Sequence, residues 1–135
     1  MTTRRQIRVV GAMLEREPGR YLITQRSKNA SLPLLWEFPG GRVMDGETDV
    51  DGLIRELKER LELEVEVGEQ AMATHHVYPD YEVDFRVFLC KLKKAGEPSH
   101  QKVNDHRWVT LGETASYKFP DADARTLEKL LDLDH

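Results

Sequence analysis

A single cysteine stands in this chain of 135 residues, which excludes an intrachain disulfide. It is Cys90, in "VFLCKL", a setting that reads as a buried strand thiol rather than a nucleophile. Long apolar runs are missing too. Nothing approaches the roughly 20 apolar residues of a membrane span, and the opening "MTTRRQIRVV" lacks the apolar core of a signal peptide. A cytoplasmic protein with no membrane partner is expected. Positive charge is in deficit: the net charge is −4, so no global basic field favours duplex nucleic acid. A small polyanionic substrate would need a local cation, from a side chain or a metal ion. Internal repeats, low-complexity tracts and Pro/Gly/Ser linkers are absent as well. With 39% hydrophobic and 33% charged residues, the composition is that of a globular chain, and the length suits one domain over residues 1–135.

What is there reads mostly as strands. "QIRVVGAML" and "RYLITQRS", joined by the turn "EREPGR", form an expected hairpin. "LWEFPGGRV" reads as a strand broken by Pro39-Gly40-Gly41, and "THHVYPDYEVDFRVFLCKL" as two strands about a Tyr78-Pro79-Asp80 turn. The second of these alternates Val83, Phe85, Val87 and Leu89 on one side. "HRWVTL" is a further short strand. Two helices are expected. One runs roughly Asp49 to Leu61, with Thr48 as N-cap and Asp51 completing a capping-box pattern. The other runs roughly Ala122 to Leu131, with Leu127, Leu130 and Leu131 on one face. Strands outnumber helices without regular alternation, so the expected class is α+β, a mixed sheet with helices packed on it.

Chemistry concentrates between residues 40 and 60. Glu56 and Glu59 are three residues apart, so both carboxylates leave one face of the first helix. Glu47 precedes that helix, and the Gly40-Gly41 bend lets backbone carbonyls approach with no Cβ in the way. Hard oxygen ligands of this kind suit Mg²⁺ or Mn²⁺. Taken alone, the same charges also describe an exposed amphipathic helix with ordinary i, i+3 and i, i+4 pairs.

The longer spacing narrows the choice. Gly41, five residues, Glu47, seven residues, then Arg55-Glu56-Leu57-Lys58-Glu59 resembles the Nudix box, Gly-x5-Glu-x7-Arg-Glu-U-x-Glu-Glu-x-Gly-U, where U is a bulky aliphatic. Leu57 and Leu63 fill both U positions. "LLWEFPGGRVMDGET" looks like the lead-in of MutT-type members, and "VGAML", "YLITQRS", "YPDYEVDFRVFLC", "HRWVTL" and "FPDAD" extend the similarity over nearly the whole chain. The resemblance implies a Nudix fold, a mixed β-sheet packed between α-helices (an α/β/α sandwich). It also implies a divalent-metal pyrophosphohydrolase cleaving a nucleoside triphosphate to monophosphate and pyrophosphate, with a nucleoside triphosphate or a related nucleoside diphosphate derivative as its partner.

Roles follow residue by residue. Glu56 matches the glutamate that binds metal and acts as base toward water, and Glu59 matches a metal-binding glutamate. A carbonyl of Gly40 or Gly41 matches a backbone ligand, and Arg55 matches the arginine that fixes the box by pairing with Glu47. Arg26 corresponds to a basic residue near the nucleotide phosphates, Asp123 in "FPDAD" to the reader of the base edge, and Tyr81 to another base-pocket residue.

Two positions depart from the pattern. Arg60 stands where the box has a further glutamate, and Glu62 replaces its glycine. Lys102 sits roughly where many MutT-type members carry another acidic residue. Arginine cannot ligate a cation, so Arg60 either swings away, pairs with its i, i+4 neighbour Glu56, or contacts substrate phosphate. Glu62 lies about 120° around the helix from Glu56. These departures keep two functions open: a metal-dependent hydrolase of reduced activity, and a catalytically degraded Nudix domain that binds a nucleotide-like ligand. An interaction domain with no ligand would leave the spacing unexplained. Either a monomer or a homodimer is compatible with the sequence. Among other residues, His75 and His76 point to opposite faces of a strand, one structural and one toward solvent. Trp36 and Trp108 read as core or platform residues, and "KLKKAG" as a solvated strand end.

Overall fold

In the computed structural model, residues 4–121 are described, together with 126 and 129. Seven strands, one α-helix and one short 3-10 helix make up the described elements. β1 (Arg5–Glu15) runs through the middle of the sheet. Along its whole length it pairs in parallel with β6 (Tyr81–Leu92), from Arg5 opposite Tyr81 to Glu15 opposite Lys91. On its other side it meets β2 (Tyr21–Gln25) at Glu15 and the short β4 (Gly40–Arg42) at Val9 to Gly11, both antiparallel. The expected hairpin is there: Gly19 turns the chain at φ 78°, a conformation natural to glycine. β3 (Trp36–Glu37) and β7 (Asp105–Val109) both pair with β2, and β5 (Val65–Val77) closes the opposite edge against β6.

Alternation along β1 explains how the sheet builds a core. Val10, Ala12 and Leu14 face one side, together with Phe88 and Cys90 of β6, and α1 (Asp49–Leu61) covers them. Leu53, Leu57 and Leu61 fall at i, i+4 and i+8 and are fully buried against that side. Each contributes about 1.5–3 kcal/mol of burial. Ile7, Val9 and Val83 face the other side, where Tyr78, Tyr81 and Phe85 pack on them. Leu89, the last of the alternating set, is partly solvent-facing. Cys90 is buried, and removal from water pushes its thiol up to about 12, which makes it inert as a nucleophile.

Local signals at α1 behave as the sequence implies. Thr48 caps the helix by accepting a bond from the Asp51 N–H at 3.1 Å. The other end holds a surprise. Glu62 sits in the left-handed region at φ 57°, and its N–H reaches back to Leu57 and Lys58 carbonyls. Glycine would be relaxed there, which accounts physically for the glycine of the box at this position. Glu62→Gly is therefore expected to stabilise the fold by up to about 1 kcal/mol, seen as a higher urea midpoint.

β5 is longer than the sequence suggested. Its first half slips register between Val67, Gln70 and Met72, and a bulge erases the period of two on which strand reading depends. The segment 122–131, expected as the second helix, lies outside the described residues apart from 126 and 129.

Candidate active site

The site forms where β4 and the loop before α1 meet the helix. Arg55 is its hub. Its Nε and Nη2 donate to the two oxygens of Glu47 at 2.7 and 3.0 Å, a fork-on-carboxylate pair. Nη2 also donates to the Arg42 carbonyl at 2.9 Å, and Nη1 to Glu56 and Glu59, each at 3.1 Å. Three carboxylates from loop and helix thus converge on one guanidinium. Glu47 accepts a further bond from the Met44 N–H at 2.8 Å. Arg55 foremost, then that N–H, hold the Glu47 carboxyl below its usual range, and the Arg55 guanidinium is in turn held more firmly protonated. A depressed carboxyl contributes its stability above the unfolded pKa and loses it as pH falls through the folded value, so this brace is intact at neutral pH.

Glu56 is the buried member, only 8% exposed. Its carboxylate lies directly on the backbone at Gly41: a Cβ placed there would meet Cδ at 2.3 Å. That contact explains the second glycine of "PGG". The first serves the sheet, since a Cβ on Gly40 would lie 1.9 Å from the Val10 carbonyl oxygen. Glu59, by contrast, keeps 57% of its side chain exposed. Arg60 takes one of the three courses open to it, donating to Glu56 Oε2 at 2.6 Å while about half exposed. Glu56 is thus held by two guanidiniums, Arg55 and Arg60.

The remaining sequence candidates are placed elsewhere. Arg26 turns toward its own loop, donating to the Ser31 carbonyl at 2.8 Å, to Ser31 Oγ at 2.9 Å and to both oxygens of Glu37 at 3.3 Å. Tyr81 lies on the sheet face opposite α1, its ring 4.8 Å from that of Tyr78. Asp123 lies outside the described residues. Lys102 is exposed on the loop between β6 and β7. His75 is exposed and His76 half-buried; a bond to Asp84 above all raises the His75 pKa.

Two groups escaped the sequence reading. Arg8 bridges Asp49 at 2.9 Å and the Glu47 carbonyl at 2.9 Å, anchoring the loop to β1, and Arg86 grips the other Asp49 oxygen at 2.8 Å. No local signal marks these long-range partners. Glu37 is the other. Desolvation raises its pKa, against the pull of Arg26 and Arg60, so it lies within reach of the Arg60 charge. Its place just before Phe38-Pro39-Gly40 was the signal available.

A match to the NUDIX domain family spans residues 9–129. The chain belongs to the Nudix family. Among similar Nudix proteins, the 8-oxo-dGTP diphosphatase of Haemophilus influenzae is 30% identical over 129 residues, covering 96% of this chain and 94% of that one. The CTP pyrophosphohydrolase of Escherichia coli is 33% identical over 138 residues, covering 96% and 94%. The solution structure of the E. coli ORF135 protein superposes with TM-score 0.73 at 27% identity, over 96% of this chain and 91% of that one. MutT of methicillin-resistant Staphylococcus aureus, at 32% identity, gives TM-score 0.64 over 98% and 100%. The mixed sheet with its loop-helix box is therefore the Nudix fold, and the chain is of MutT type within a family of pyrophosphohydrolases.

Proposed function

We propose that this protein hydrolyses a nucleoside triphosphate, or a modified form of one, to the monophosphate and pyrophosphate. One observation carries the reading: Arg55 gathers Glu47, Glu56 and Glu59 around a glycine backbone on which the Glu56 carboxylate rests. Among the described residues the donor set is all oxygen, and the cradle at Gly41 admits a carboxylate only because a Cβ is missing. Both features fit a hard divalent ion. Glu56, Glu59 and a carbonyl of Gly40 or Gly41 would hold it. When bound, Mg²⁺ or Mn²⁺ shields phosphate charge and makes water more acidic. Glu56 would accept the proton of the attacking water at its carboxylate, which Arg55 holds by a 3.1 Å bond beside Gly41. Asp123 and Tyr81 are assigned to the base, and Arg26, once released by Glu37, to the phosphates; the likeness of "FPDAD" and "YPDYEVDF" to MutT-type members supports them. The test is a nucleotide panel assayed for pyrophosphate release with Mg²⁺ and Mn²⁺. Full release in excess chelator would overturn this mechanism.

A second reading, a binding module that has lost catalysis, is favoured by the 2.6 Å pair between Arg60 and Glu56, which sets a fixed cation where an ion would bind. At about 6 Å and an effective dielectric of about 20, each unit of charge changed beside a divalent ion is worth on the order of 5 kcal/mol. Solvent at the half-exposed Arg60 screens most of that. Arg60→Glu is thus expected to tighten Mn²⁺ binding by about 10- to 100-fold, measured by calorimetry. In a phosphate-binding module the same change weakens nucleotide binding instead.

A further inference from the structure

Away from Glu56, the loop between β6 and β7 brings a different set of ligands together. His100 Nε2 lies 2.6 Å from His106 Nδ1, and a carboxylate oxygen of Asp105 joins them, with all three ligand atoms within 4.8 Å of one another. His106 is further organised. Its Nε2 lies 3.1 Å from Glu97 Oε2, and that carboxylate is held by the indole N–H of Trp108 at 3.1 Å and by Arg16. A carboxylate facing Nε2 places the ring proton there and leaves the Nδ1 lone pair turned toward His100. This is the arrangement by which metal-ligating histidines are oriented.

We propose that His100, Asp105 and His106 form a second divalent-metal site, selective for an imidazole-preferring ion such as Zn²⁺, that clamps the 93–104 loop. Two imidazoles and a carboxylate suit Zn²⁺, Co²⁺ or Ni²⁺ and not Mg²⁺, in contrast to the all-oxygen set at Glu56 and Glu59. Zn–N bonds of about 2.0–2.1 Å in a tetrahedron set the two nitrogens about 3.3 Å apart. The rings therefore open by about 0.7 Å, an adjustment the exposed His100 allows. Asp105 Oδ1 accepts from the His106 N–H at 2.8 Å, and Arg107 lies 2.7 Å from Oδ2. The clamp would reach the helix that carries the candidate active site, because the Ser99 N–H donates to the carbonyl of Leu61, the last residue of α1, at 2.9 Å. Asn104 ties the loop's other end to the Gln25 carbonyl at 2.9 Å.

Calorimetric titration of untagged protein with Zn²⁺, and visible d–d absorption on adding Co²⁺, test the site directly. One saturating equivalent is expected in the wild type and in Glu56→Gln. His100→Gln and His106→Ala are each expected to weaken binding at least about 10-fold and to remove the Co²⁺ spectrum. Circular dichroism establishes that each variant is folded. Should His106→Ala fail that check, His100→Gln and Asp105→Asn, both at positions at least partly open to solvent, decide in its place. Three results would overturn the proposal: no saturable Zn²⁺ binding, unchanged affinity in the histidine variants, or loss of binding in Glu56→Gln, which would put the ion at the other cluster.

Discussion

Glu56→Gln is expected to lower pyrophosphate release by about 100- to 10,000-fold, the range over which a positioned base contributes. The swap keeps the size and shape of a side chain that is only 8% exposed and pressed against Gly41. What it removes is the negative charge, and with it the capacity to take a proton and much of the attraction for a divalent cation. The Arg55 and Arg60 contacts, at 3.1 and 2.6 Å, persist in part through the amide oxygen, so the helix should remain folded. Steady-state rates with saturating Mg²⁺, recorded beside a thermal melt, separate chemistry from folding. A Glu56→Gln protein that hydrolyses at the wild-type rate would eliminate Glu56 as the base.

The two glycines of "PGG" are expected to fail in different ways. At Gly40, an added Cβ lies 1.9 Å from the Val10 carbonyl oxygen and 2.7 Å from Gly11 Cα. Both neighbours are backbone of the central strand and cannot step aside, so Gly40→Ala should cost about 3 kcal/mol or more of stability. At Gly41 the obstructed group is the Glu56 carboxylate, with Cδ at 2.3 Å and its oxygens at 2.4 and 2.7 Å. A side chain can move, and here it must carry the proposed base with it. Displacing a reacting group by about 1 Å costs about 100-fold in rate. Gly41→Ala is thus expected to melt near the wild type and to lose about 100-fold in turnover, whereas Gly40→Ala melts early. Equal melting losses in the two variants, or full turnover in Gly41→Ala, would contradict the assigned contact.

Short-range physics was legible in the sequence. Thr48 and Asp51 mark the helix start because capping bonds span three residues. Leu57, a bulky aliphatic of the Nudix box, lies on the buried face of α1, and the Arg55–Glu47 pair is the one that the resemblance to the box implies. The parallel pairing of β1 with β6, the choice by Arg60 of Glu56 over solvent or substrate, and the turn of Arg26 toward Glu37 and Ser31 were decided by tertiary structure. So was the meeting of His100, Asp105 and His106, and so was the register slip that hides the first half of β5. For the side chains the reason is common. A long, charged or imidazole side chain has several partners within reach, and which one it takes depends on where strands distant in sequence come to lie. Caps and helical periods need only their own turn of chain; an ion pair such as Arg8 to Asp49 exists only once β1 and the start of α1 are side by side.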